Sequence, residues 1–223
     1  MFFKNKSIIF GAIVVFFSVV FLTISYHILS PKKSLPIINP VDVNPELVDS
    51  TVQYVSKYHR IAPFSFFNQN RKRITQKDYE GKIYVADFFF TSCQSICPIM
   101  TRNMVAIQAA IADNPKVMLL SHSVLPDQDS VPVLKKYAVE KGVLDSKWNL
   151  VTGDKKTIYY LARKSYLVVK TGKPSELYDM VHTENFVLVD TKKRIRGFYD
   201  GTNQNDIARL IEDINWLCAT EKD

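Results

Sequence analysis

The sequence predicts an α/β domain, a mixed sheet flanked by helices, preceded by an N-terminal transmembrane helix. Three observations carry this. Apolar strand-like runs alternate with helix-like runs from residue 82 onward, and a closing hairpin precedes one last helix. Two of the three cysteines, Cys93 and Cys97, stand between an apolar run and a helix-like run. Residues 8–29 contain no Lys, Arg, Asp or Glu.

Ile8–Leu29 is a 22-residue span rich in Ile, Val and Phe. As a helix it rises about 33 Å, enough for a bilayer core. A cleaved signal peptide would have an apolar region of about 7–15 residues and a small-x-small site. Ile24-Ser25-Tyr26-His27-Ile28-Leu29 offers no such site. Residues 1–30 contain no Arg, which argues against a mitochondrial presequence. Lys4, Lys6 and the terminal amine before the span face Lys32 and Lys33 after it, so charge favours a cytoplasmic N-terminus only slightly. Residues 1–30 are therefore read as a membrane anchor. Pro31, Pro36, Pro40 and Pro45, with no Gly between residues 30 and 50, give residues 31–53 the look of an extended tether. The folded domain is expected over residues 54–223.

Within that domain, Pro63–Phe67 and Lys72–Thr75 flank the polar turn Asn68-Gln69-Asn70 and read as a hairpin. Lys82–Phe90 is a buried strand. Met100, Met104, Ile107 and Ile111 then recur at helical spacing after Pro98. Lys116–Ser121 is a second buried strand, and Val131–Lys141 a helix with Ser130 as its N-cap. Trp148–Thr152 is a short strand and Asp154–Lys164 a helix. Asn185–Asp190 and Arg194–Tyr199 form a hairpin across Thr191-Lys192-Lys193. Ile207, Leu210, Ile211, Ile214 and Leu217 mark an amphipathic C-terminal helix. Strands and helices in this order, with two cysteines after the first central strand, resemble an elaborated thioredoxin-like fold.

The net charge of +7 is densest at Arg71-Lys72-Arg73 and Lys192-Lys193-Arg194. Both clusters read as solvated turn residues; an acidic partner or an anionic lipid surface is the functional alternative. No nucleic-acid motif accompanies them. Three cysteines are too few for a disulfide scaffold; a close pair with a distant single reads as a functional pair and a bystander.

A strand end leading into a helix N-terminus is where α/β proteins place their chemistry. Pro98 suits the first helical position, with Cys97 at the helix entrance and Cys93 in the preceding turn. The N-terminal N–H groups and the helix dipole should lower both thiol pKa values. Two thiols there either exchange disulfides or hold a soft metal. Cys218, on the apolar face of the last helix, reads as a small buried hydrophobe. Of four histidines, His27 is at the membrane edge and His59 precedes the core. His122 ends the second strand at the cysteines' end of the sheet and reads as structural. His182 stands just before the final hairpin, where redox thioredoxin-like domains usually carry a proline. Two thiolates and one imidazole suit copper better than a hard cation, and structural zinc would want a fourth ligand. Met180 is a packing residue more than a soft accessory ligand.

Phe90-Thr91-Ser92-Cys93-Gln94-Ser95-Ile96-Cys97-Pro98 resembles the Sco/SenC family of copper chaperones. So do Ser123-Val124-Leu125-Pro126-Asp127-Gln128-Asp129-Ser130-Val131-Pro132, Trp148-Asn149-Leu150-Val151-Thr152-Gly153, and His182 before Phe186-Val187-Leu188-Val189-Asp190. The resemblance implies a thioredoxin-like domain that holds a copper ion, Cu(I) or Cu(II), through Cys93, Cys97 and His182. It implies partners in the copper-centre subunit of cytochrome c oxidase and a copper donor protein. The expected location is a bacterial inner membrane, crossed once, with the soluble domain in the periplasm. A thiol-disulfide oxidoreductase acting through Cys93 and Cys97 is the alternative function. Many members place Pro-Asp-Val between the cysteines and an Asp before the histidine; this chain has Gln94-Ser95-Ile96 and Val181. A peroxiredoxin-like run would need Thr and Pro where Phe90 and Ala86 stand.

Overall fold

Strand β3 (Ile83–Phe89) is buried at every position, as a strand covered on both faces must be. It pairs in parallel with β4 (Val117–Ser123) and antiparallel with β6 (Asn185–Val189). In a computed structural model, residues 3–29, 34–45, 48–168 and 183–221 are described. Among the described residues the sheet has seven strands, in the order β2-β1-β5-β4-β3-β6-β7. Here β1 is Ser65–Asn68, β2 Arg73–Thr75, β5 Trp148–Thr152 and β7 Ile195–Asp200. The expected hairpins are both present, β1 with β2 and β6 with β7.

Alternate residues of β3 serve two cores. Tyr84, Ala86 and Phe88 face one that includes Phe66, Leu120 and Tyr166. Ile83, Val85 and Phe89 face the other, built on α2 (Cys97–Ala110), α3 (Val131–Lys141) and α5 (Gln204–Thr220). Met100, Met104 and Ile107 of α2 and Leu210, Ile214 and Leu217 of α5 fill it, as their spacing predicts. Gly142, in the left-handed region at φ 74°, ends α3. Asp154 caps α4 (Lys155–Tyr160) by accepting from the Thr157 amide, and the helix widens into a π-helical turn over Leu161–Ser165.

The second compact unit runs from Leu35 to Asp223. Ile38 bridges to Ile195 on the β7 edge. The Arg196 guanidinium, nearly buried, donates to the carbonyls of Leu35 and Pro36, both at 2.9 Å. Val48 and Asp49 are also buried. Pro40–Asp42 forms a 3-10 helix within this stretch, and the extended chain around Ile38 pairs with the sheet edge.

The first unit contains α1 (Phe3–Leu29), whose side chains are described for Phe10, Gly11 and residues 13–26. Phe16, Phe17, Phe21 and Leu22 are all exposed. Among the described residues no helix is long and apolar enough to cross a membrane.

His122 lies wholly buried in an aromatic cage of Phe64, Phe66, Phe88 and Tyr166. Burial holds its pKa down at about 4, against a weak hydrogen bond to the Asp87 carbonyl. The unfolded chain takes up a proton below about 6.5 that the folded chain refuses until about 4. His122 therefore contributes stability that is present above pH 6.5 and is lost as pH falls to about 4. Asp87, raised by burial to about 7, has the opposite sign: its contribution is lost as pH rises from 3.8 to about 7. In chemical denaturation, His122→Gln should remove the acid-side loss, up to about 1.4 kcal/mol per pH unit. Asp87→Asn should steepen it.

Candidate functional site

Where β3 leaves the sheet, residues 90–96 turn the chain into α2, which begins at Cys97 itself. Pro98 thus takes the second helical position, where its missing N–H has no intrahelical partner to lose. The amides of Ile99 and Met100 both donate to the Ile96 carbonyl at 3.0 Å. Cys93 is half-buried, and its amide donates to Phe90 O at 3.3 Å. Cys97 is buried in the α2 core beside Met100 and Phe89. Both thiols are free.

The two sulfurs differ in acidity. Burial by itself raises the Cys93 thiol. Hydrogen bonds from the Cys97 thiol, the Ser95 hydroxyl at 3.6 Å and the amides of Cys97 and Ser95 outweigh it, and bring the group down to about 7. Burial pushes Cys97 up to about 12, and the neighbouring Cys93 adds to the rise against a backbone hydrogen bond at Phe90. The expected lowering of both thiols therefore holds for one. A helix N-terminus favours the thiolate only where solvent or donors can also reach it.

Asp87 lies on the same face of β3 as Ile83, Val85 and Phe89, beneath α2. It hydrogen-bonds the Ser121 hydroxyl, which in turn accepts from Trp148 Nε1 at 2.8 Å. The Thr101 and Tyr137 hydroxyls meet at 2.7 Å close by.

A second carboxylate fixes the loop. Asp129 is buried and accepts from the Thr91 amide at 3.1 Å, the Thr91 hydroxyl at 2.5 Å and the Ser123 hydroxyl at 2.5 Å. It ties the cysteine turn to the loop after β4, two residues from Cys93. In the sequence Asp129 is legible only as one letter of the family-like run 123–132. An acidic residue in a loop next to a strand end carries no signal of burial.

Among the described residues, Cys218, His59 and His122 do not join this site. Cys218 accepts from Asn114 Nδ2 at 3.2 Å, on the last helix. His59 Nε2 meets the Ser165 carbonyl at 2.7 Å. His122 is caged on the other face of the sheet. His182 and Met180 lie outside the described residues, as does the side chain of His27. Thr183 and Glu184, which follow His182, are described. They enter β6 at the sheet end where β3 exits, since Ala86 pairs with Val187. Gly201 packs there: its amide donates to Glu184 O at 2.7 Å, and a Cβ would come within 2.8 Å of that oxygen. Asn103 of α2 donates to Gly201 O at 2.7 Å, joining this corner to the cysteine helix. Among the described residues no cluster of three His, Cys, Asp or Glu is arranged to hold a metal.

The SCO1/SenC family model matches residues 52–219. The chain belongs to the SCO1/SenC family. A SCO1 protein homolog of Bacillus subtilis is 31% identical over 158 residues, covering 70% of this chain and 81% of that protein. The solved structure of BsSco, a member of the Sco family of cytochrome c oxidase assembly proteins with a disulfide switch, is 30% identical with a TM-score of 0.63. It aligns with 73% of this chain and 95% of its own. Arabidopsis thaliana ScoI, solved with copper bound, is 27% identical with a TM-score of 0.56, over 70% of this chain and 98% of its own. SCO1/SenC membership confirms the thioredoxin-like α/β fold and accounts for the family-like runs around Cys93 and Asp129.

Iodoacetamide should alkylate Cys93 well before Cys97, with a midpoint near pH 7 by mass spectrometry of the reduced protein. Asp129→Ala should lower unfolding free energy by about 2–3 kcal/mol, since it strands hydroxyl and amide donors. It should also move the Cys93 midpoint upward.

Proposed function

We propose that this protein is a membrane-anchored copper-binding chaperone that delivers copper to, or matures, the copper centre of cytochrome c oxidase. The observation that carries this reading is the Cys93–Cys97 pair at a strand-to-helix turn in a SCO1/SenC domain. A relative of the same family holds copper, and another is an oxidase assembly protein. Cys93, Cys97 and His182 are the proposed ligands. Copper, as Cu(I) or Cu(II), is cargo rather than a resident catalyst. Two sulfurs and an imidazole form a soft set that suits it. Cys93 offers its sulfur near neutral pH, whereas Cys97 must lose its proton as the metal enters, so uptake releases protons. The position of Thr183 and Glu184 at the cysteines' end of the sheet supports His182 as third ligand.

Ile8–Leu29 supports the anchor: 22 uncharged residues within a 27-residue helix. The proposed location is a bacterial inner membrane, with the folded unit in the periplasm. The oxidase copper-centre subunit receives the metal, and a donor protein supplies it.

The unequal thiols favour a second reading, a thiol-disulfide oxidoreductase. Cys93 thiolate would attack a partner disulfide and release one partner thiolate. Cys97, once deprotonated, would then displace the other, leaving a Cys93–Cys97 disulfide and a reduced partner.

Copper titration of the reduced, detergent-solubilised full chain separates the readings. One tightly bound copper per chain is expected, weakened at least tenfold in each of Cys93→Ala, Cys97→Ala and His182→Ala. Full affinity in His182→Ala would remove that residue from the site. No tight copper in wild type, with the pair still cycling through a disulfide, would leave the oxidoreductase.

A further inference from the structure

The end of the sheet opposite the cysteines carries a basic and aromatic face. β6 runs antiparallel to β3 with Val189 beside Tyr84. The turn 190–194 therefore lies at the start of β3, about 23 Å along a seven-residue strand from the end that leads to Cys93. Backbone hydrogen bonds gather further chain there. Ile61 N donates to Lys193 O at 2.8 Å, Ile38 N to Ile195 O at 2.9 Å and Val41 N to Val55 O at 3.1 Å. This places the segment 54–60 beside the turn.

Tyr54 and Tyr58 are 81% and 89% exposed, unusual for large aromatics on a water-facing surface. Tyr58 has φ 64°, a left-handed backbone rare for a bulky residue. Ile37 and Val41 are exposed next to them. Lys57, Arg60 and Lys192 add exposed cations. Among the described residues most acids at this end are engaged: Glu80 reaches Lys193 at 3.7 Å, Asp49 reaches Lys164 at 3.5 Å, and Asp190 and Glu221 are held by Arg194 and Arg196; Asp42 accepts from the Asn39 amide. Apolar tips ringed by cations outside these ion pairs match a phospholipid headgroup layer of negative charge. Tyrosine rings prefer that depth, and Lys and Arg are drawn to anionic lipid. Only residues 30–34 separate Leu29 from Leu35 in the sequence, six steps that reach at most about 22 Å.

We propose that this face, centred on Tyr54, Tyr58, Lys57, Arg60 and Lys192, docks on the anionic phospholipid surface of the membrane that holds α1. The inference rests on the anchor reading above. Docking turns the opposite sheet end, with Cys93 and Cys97, away from the lipid. Lys192, in the turn Lys192-Lys193-Arg194, is then a lipid contact rather than merely solvated.

The test uses the full chain with vesicles of phosphatidylcholine alone, or of phosphatidylcholine with one-third phosphatidylglycerol. Flotation reads the anchor, and hydrogen exchange of residues 54–60 reads docking. The expected result is flotation with both, and at least fivefold slower exchange of 54–60 only with phosphatidylglycerol, reversed by high salt. The triple variant K57E/R60E/K192E should lose that protection while floating normally; Tyr58→Ser should weaken it if the triple variant folds poorly. Equal exchange on the two vesicle types overturns docking and leaves the anchor intact. Flotation and protection with phosphatidylglycerol only would sink the anchor and uphold docking, and no flotation with either would sink both. Protection by soluble polyglutamate but not by lipid would assign the face to an acidic protein and overturn the proposal.

Discussion

Burial of β3 on both faces is the constraint from which the rest follows. A strand with cores above and below cannot satisfy its backbone except through two neighbouring strands, here β4 and β6. Its side chains anchor α2 on one side and the Tyr166 region on the other. When such a strand ends, the chain must leave the sheet abruptly, and the first residues free of the ladder are those of the cysteine turn. Cys93 is reachable because it lies in that turn. Cys97 is inaccessible because it is already the first residue of a helix packed on the sheet. The acidity difference between two cysteines four positions apart is a consequence of where the ladder stops.

Once the ladder stops, something else must hold the turn. Asp129 does so with three hydrogen bonds drawn from Thr91 and Ser123. A buried carboxyl group is tolerable there because its oxygens accept three hydrogen bonds. The clamp also means that the run 123–132 and the cysteine run form one physical object. Their joint appearance in the sequence reflects a hydrogen-bonded contact, not two separate signatures.

Periodicity made most of the architecture legible. Met100, Met104 and Ile107, or Ile207, Leu210 and Ile214, can bury together only as helix faces. The uninterrupted apolar run at 83–89 fits only a central strand. Three features escaped. Leu35 and Pro36 lie against the domain with their carbonyls on Arg196, a contact visible only in three dimensions. The high pKa of Cys97 comes from burial, which helix-terminus arguments leave out. Asp129 and Asp87 look like any acidic residue in a string of letters; their weight comes from desolvation. At the site itself the cysteine pair was legible from its place between strand and helix, while the inequality of the two sulfurs was not.

That inequality bears on how copper release and disulfide exchange can share one site. A pair of equally acidic thiolates would hold a soft ion tightly and give it up slowly. With Cys97 held near pKa 12 by burial, its thiolate is costly whenever the metal leaves. In the proposed chaperone, departure of copper would thus be coupled to reprotonation of Cys97, and proton supply beneath α2 would become part of transfer. The same cost makes Cys97 a poor nucleophile until a partner disulfide engages Cys93 and changes its surroundings. Both proposed chemistries therefore start at Cys93 and are completed at Cys97. The order is set by one turn of backbone between a buried strand and a buried helix.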